Sequence, residues 1–161
     1  MFYIDSILEL GGLDICLMCC ICDYQPFNYV YYKGKQIAQI RSINGDFYSI
    51  VIFDDDAIEN LDNIRKTDLQ PIPLSNTILE KCQFTQYNNG KYISEYGHCT
   101  EHPYLVCVNP DNEDVEIALK NNTSSIIKCE NIVNSLHILQ NIVRGITGYL
   151  LYYKSTNIKN Q

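Results

Sequence analysis

Four of this chain's eight cysteines lie within seven positions, in CLMCCIC at residues 16–22. Cys16 and Cys19 have the spacing of a zinc knuckle, where two thiolates grip a tetrahedral metal and a remote pair of ligands completes the set. His98-Cys99-Thr100-Glu101-His102 supplies such a pair, so Cys16, Cys19, His98, Cys99 and His102 form one candidate metal site. Two features oppose it. Leu17, Met18 and Ile21 are bulky and apolar, unlike the small or polar spacers that help knuckle thiolates accept backbone N–H bonds. Pro103 also disfavours the helical geometry that would aim His98 and His102 together. Read as a strand, Cys16, Met18, Cys20 and Cys22 share one face, with Ile15, Leu17, Cys19 and Ile21 on the other. Both faces are then apolar, because a free thiol packs as a small hydrophobe. A buried strand of inert thiols is the favoured reading, ahead of metal or redox chemistry, and no cofactor is expected.

Other chemistry is weaker. His98, Glu101 and His102 carry acid–base groups and Cys99 a thiol, but a nucleophile needs a base held by a third group. No elbow-type glycine pattern surrounds them. Asp54-Asp55-Asp56 with Glu59 lacks the ligand spacing and turn glycine of an EF-hand, and reads as a solvated acidic loop. There is no phosphate-binding glycine loop. An enzyme is therefore not expected. The aromatics Tyr24, Phe27, Tyr29, Tyr31, Tyr32 and Tyr48 crowd one region beside Lys33, Lys35 and Arg41. Such a set either covers a small core or presents a surface for peptides or bases. The core reading is favoured. Tyr31, Tyr32, Lys33, Lys35, Arg41 and Tyr48 are kept as a candidate partner surface.

Composition limits the partners. The net charge is −7, and the twelve Lys and Arg residues form no dense run, so nucleic acid is disfavoured. No stretch reaches the ~18–20 apolar residues of a membrane span. The first residues carry Asp5, Glu9 and Asp14 without a basic lead, so a secretory signal is not expected and the thiols are expected to be reduced. Hydrophobic residues make up 46% of the 161 positions, enough for a packed core.

The elements that must position these groups follow from periodicity. Ile4, Ile7, Leu8 and Leu10 predict a short helix stopped by Gly11-Gly12. From Tyr29 onward alternation predicts strands, with turns at Lys33-Gly34-Lys35 and at Asn44-Gly45-Asp46, the latter as type I′. AIENL predicts one helical turn, and Pro71 and Pro73 keep the following segment extended. Ser75 caps a helix through Cys82; a hairpin at Asn89-Gly90 and strands over YLVCVN, DVEIAL and SIIKC follow. Glu130 begins an amphipathic helix whose apolar stripe is Ile132, Leu136, Leu139, Val143 and Ile146, with Asn134, His137, Asn141 and Arg144 on the other side. The expected fold is α+β. It has an N-terminal extension (1–28), a small SH3-like β-barrel (29–74), and an antiparallel sheet flanked by a short helix and a C-terminal amphipathic helix (75–153). A flexible tail (154–161) closes it.

Two motifs carry a resemblance. DLQPIPLSNTILEKCQF places Pro71 to Leu74 before a short helix that ends near Phe84. LHILQNIVRGITG places His137, Leu139, Gln140 and Asn141 before Ile146-Thr147-Gly148. With the Tyr32-Lys33-Gly34-Lys35 hairpin, the chain from about residue 30 to 150 resembles a family of uncharacterised small proteins of Bacteroidales phages, prophages and mobile elements. It departs in having Ile142, Val143 and Arg144 where an aromatic pair is usual, and in its cysteine-rich N-terminal region. The family implies no catalytic residue. His137, Gln140 and Asn141 would either fix a loop or strand edge by hydrogen bonds, the favoured role, or with Arg144 receive a ligand.

The resulting expectation is a phage- or mobile-element-encoded accessory protein in the host bacterial cytoplasm. It would bind a host protein or a small signalling ligand, with a counter-defence role. A second copy of the chain is a further candidate partner. The alternatives are a virion-associated component, capsid-bound or packaged, and a metal-dependent or thiol enzyme using His98, Cys99 and His102.

Overall fold

The computed structural model describes residues 21–53, 57–88, 90–97 and 103–154, and within 123–126 the backbone alone. The predicted N-terminal helix, Cys16 and Cys19, the acidic run 54–56, the segment 98–102 and the tail beyond Lys154 lie outside the described residues. The fold is mixed α+β, with two five-stranded antiparallel sheets and two helices among the described residues.

The first sheet contains β1 (Tyr29–Tyr32), β2 (Gln36–Asn44), β3 (Phe47–Phe53), β4 (Ile58–Arg65) and β5 (Leu69–Gln70), in the order β4-β3-β2-β1-β5. A 3₁₀ turn, Lys66–Asp68, precedes β5. The sheet is open, since β4 and β5 form its two edges. Ile58–Leu61 of AIENL are strand, not helix, because residues 58–65 pair with β3 from Phe53↔Ile58 to Phe47↔Arg65. The open edge of β3 outweighs a helical preference that one short turn cannot sustain alone. The β2–β3 loop is Gly45-Asp46, closed by the pair Asn44↔Phe47. Positive φ falls on Gly45 alone, the pattern of type II′ rather than the predicted I′.

Strand alternation gives this sheet two jobs. Val30, Tyr32, Ala38, Ile40, Tyr48, Ile50 and Ile52 point to one face and form its own core. Tyr29, Tyr31, Ile37 and Phe53 pack into the core of the second half.

The second half contains α1 (Asn76–Lys81), β6 (Thr85–Gln86), β7 (Tyr92–Tyr96), β8 (Tyr104–Asn109), β9 (Asp114–Leu119), β10 (Asn122–Cys129) and α2 (Leu136–Thr147). Its strands run as a meander, β10-β9-β8-β7-β6. Registers Tyr92↔Val108↔Val115 and Val106↔Ile117 put these five apolar side chains on one face. Leu136, Leu139, Ile142 and Val143 of α2 and Ile78 and Leu79 of α1 share that core. Each such side chain contributes about 1.5–3 kcal/mol on burial. Ser75 caps α1 by accepting the Ile78 N–H at 3.3 Å. Ser75→Ala is therefore expected to cost about 1 kcal/mol, read as a lower urea midpoint with an unchanged slope.

Helix α2 begins six residues later than Glu130, and Ile132 is not part of it. Residues before Leu136 have other partners. The Glu113 carbonyl accepts the Ile132 and Val133 N–H groups, and Asn134 O accepts Leu74 N–H. Leu136 N–H donates to Ile72 O, and Pro73 bridges Ser135. Prolines 71 and 73 keep the linker extended, so it pairs with this segment as a short ribbon. At its far end α2 stops at Gly148, φ +75, whose N–H returns to Arg144 O.

Candidate functional site

Most of the polar side of α2 is buried. His137, Gln140 and Asn141 are buried, and with exposed Arg144 they grip the segment from Ile21 to Tyr29. Asn141 Nδ2 donates to Ile21 O (2.9 Å) and Asp23 O (3.0 Å), and its Oδ1 accepts from Asn28 Nδ2 (2.9 Å). Gln140 Oε1 accepts the Tyr29 N–H (2.9 Å), while Nε2 donates to Phe27 O (3.2 Å) and Leu151 O (3.0 Å). Arg144 Nη1 donates to Pro26 O at 3.3 Å. Two neutral amides of α2 thus fasten the distant segment 21–29 and, closer in sequence, Leu151.

His137 completes the clamp. Its Nε2 lies 3.3 Å from Cys22 O and its Nδ1 lies 3.1 Å from Ser135 Oγ. A carbonyl only accepts, so the proton sits on Nε2 and Nδ1 takes the serine hydroxyl. The Tyr24 ring meets the imidazole edge-on at 4.8 Å. Burial holds the His137 pKa below the ordinary value; the Cys22 carbonyl and Asp23 oppose this and Lys66 reinforces it. The neutral form is thus favoured more in the folded than in the unfolded chain. The resulting stability is fully present above about pH 6.5 and is lost as pH falls toward the lowered folded pKa. Melting curves between pH 8 and 5.5 are expected to fall more steeply for the native chain than for His137→Gln, and parallel slopes would refute this.

Beside the imidazole lies a cavity of about 330 Å³ lined by Cys22, Tyr24, Lys66, Leu69, Pro71 and His137. It lies between the 3₁₀ turn and β5, the Pro linker, the start of α2 and the gripped segment. Lys66, one of its lining residues, pairs with Asp23 at 3.3 Å, an exposed pair of little energetic weight. A second concavity, about 460 Å³, is lined by Asp111, Asn112, Glu113, Asp114, Glu130 and Asn131. There Asp114 Oδ1 accepts the Asn131 N–H, which helps hold the approach to α2.

The tyrosines of the aromatic–basic set follow the favoured core reading more than the surface one. Tyr29, Tyr32 and Tyr48 are buried and Tyr31 is half-buried, because the pleat sends each into one of the two cores. Tyr32 and Tyr48 are therefore not available as surface contacts. Lys33, Lys35 and Arg41 are exposed, and Lys33 lies 5.0 Å over the Tyr32 ring. Of CLMCCIC only Ile21 and Cys22 are described, and they are helical rather than extended, with Cys22 exposed. Cys16 and Cys19, with His98, Cys99 and His102, lie outside the described residues. Burial pushes the Cys82 thiol up to about 12 and also raises Cys107 and Cys129, so these three are poor nucleophiles.

Compared with protein-family models, curated proteins and solved structures, the chain matches none. Among the described residues no helix is long and apolar enough to cross a membrane. The site is therefore read from its own geometry. Three of its members escaped sequence reasoning as site residues. Asn28 is buried, bonded to Asn141 and accepting the Gln25 N–H at 2.8 Å, and its Pro26-Phe27-Asn28 context is a turn signal. Lys66 and Pro71 come to the cavity only because β5 pairs with β1.

Proposed function

We propose that this chain is an accessory protein encoded by a phage, prophage or mobile element of Bacteroidales bacteria. It acts in the host cytoplasm by binding a host protein or a small signalling ligand, with a counter-defence role and without catalysis. The observation that carries the binding reading is the cavity beside His137. It falls within the size range of small-ligand sites, and its imidazole is already bonded at both nitrogens. A histidine so fastened serves as a wall rather than as a proton shuttle. We read the first sheet as SH3-like: the order β5-β1-β2-β3-β4, with a 3₁₀ turn leading into the last strand, supports that reading. Purified protein is expected to melt higher in the presence of a cyclic or linear nucleotide signal, or to retain a host protein from lysate. If neither occurs, the proposal fails.

A further inference from the structure

The turn Gln25–Asn28 is closed by Asn28 N–H to Gln25 O at 3.1 Å, with Pro26 and Phe27 as its central residues. Phe27 has φ +75. Proline followed by positive φ is the type II pattern, whose third position favours glycine because a β-carbon opposes the left-handed region. A phenylalanine there is an outlier, and outliers of this kind persist only where surrounding contacts over-determine them. Those contacts are present. Phe27 N–H donates to Ile40 O at 2.7 Å, Phe27 O accepts from Gln140, and Pro26 O accepts from Arg144. All three use backbone atoms of the turn, so a glycine at this position would keep them.

The ring itself belongs to neither core and is 39% exposed. The Arg144 guanidinium lies 5.6 Å from its centroid and engages one acceptor, Pro26 O, among the described residues. An aromatic ring and arginine are the residue types that dominate binding hot spots, and guanidinium groups match carboxylates in a planar, two-point fashion. On a chain of net charge −7, this corner sets a guanidinium over an exposed apolar ring. We propose that Phe27 and Arg144 form the docking point for an acidic segment of a partner protein that carries an apolar side chain. The proposal rests on the binding reading above and assigns it a surface separate from the His137 cavity.

The test is selection of a random-peptide phage library on the intact protein, followed by affinity measurement with the synthesised winners. Peptides rich in Asp and Glu around one apolar residue are expected. Their affinity should fall about thirty-fold or more in Phe27→Gly and in Arg144→Ala, and weaken with added salt. Phe27→Gly should melt within about 3 °C of the native chain, because the turn prefers glycine. Winners that bind Phe27→Gly unchanged would overturn the surface while leaving the chain a binding protein. The absence of acidic winners would also overturn the proposal, as would a preference of this corner for single-stranded RNA. So would a Phe27→Gly variant that melts much lower, since the ring would then be a structural element.

Discussion

Gln140→Ala is expected to destabilise the fold by about 3–4 kcal/mol, a large share of the 5–15 kcal/mol that holds an ordinary domain together. The amide satisfies three backbone groups, Tyr29 N–H, Phe27 O and Leu151 O. The first and last are buried, so water cannot replace the lost partner, and each costs about 1–3 kcal/mol when orphaned. Phe27 O is only part-buried and recovers some hydration. Gln140→Met keeps the volume while removing the bonds, so its difference from alanine separates packing from hydrogen bonding. Urea unfolding of the three proteins gives the comparison, and a loss under about 1 kcal/mol for either variant would refute the clamp.

Asn141→Asp is expected to be nearly as damaging at neutral pH, by about 3 kcal/mol, although it changes one atom. Asn141 Nδ2 donates to two carbonyls, Ile21 O and Asp23 O. A carboxylate would turn an oxygen toward both, leaving two acceptors facing a buried charge. Its protonated form can donate once, so folding favours protonation and the folded pKa rises above the usual value of about 3.9. A raised acid imposes no penalty at pH values below the unfolded pKa, and the penalty grows as pH rises through the folded value. The stability gap between native and variant chains should therefore shrink from pH 7 to pH 4. A gap that stays constant would mean the side chain is not held against those carbonyls.

Both variants act on residues whose kinship is visible in the linear chain. His137, Gln140 and Asn141 lie three and one apart, so any helix through them places them on one side, whatever the rest of the fold does. The same holds for Leu136, Leu139 and Val143, which take the core side. What a helical wheel cannot supply is the occupant of the polar side. Solvent and a packed chain segment look alike from the helix, and the segment at 21–29 lies more than 100 positions away.

The same limit explains the local differences. Glu130 to Ser135 carries helical periodicity, yet Glu113 and Leu74 take up its backbone groups, and the backbone follows those partners. Residues 57–61 read as a helical turn until β3 offers an unpaired edge to Ile58 and its successors. The tyrosines of β1 alternate as any strand must, but whether the second face is surface or core depends on a second sheet being packed behind it.

Local rules thus settled where strands alternate, where Gly45 and Gly148 turn the chain, and which side chains of α2 travel together. These depend on contacts a few residues long. The burial of the polar face, the pairing of the proline linker with the approach to α2 and the cavity beside His137 came from packing alone. Each joins atoms far apart in sequence, and their energy is that of satisfying buried amides, carbonyls and an imidazole that no neighbouring residue could reach.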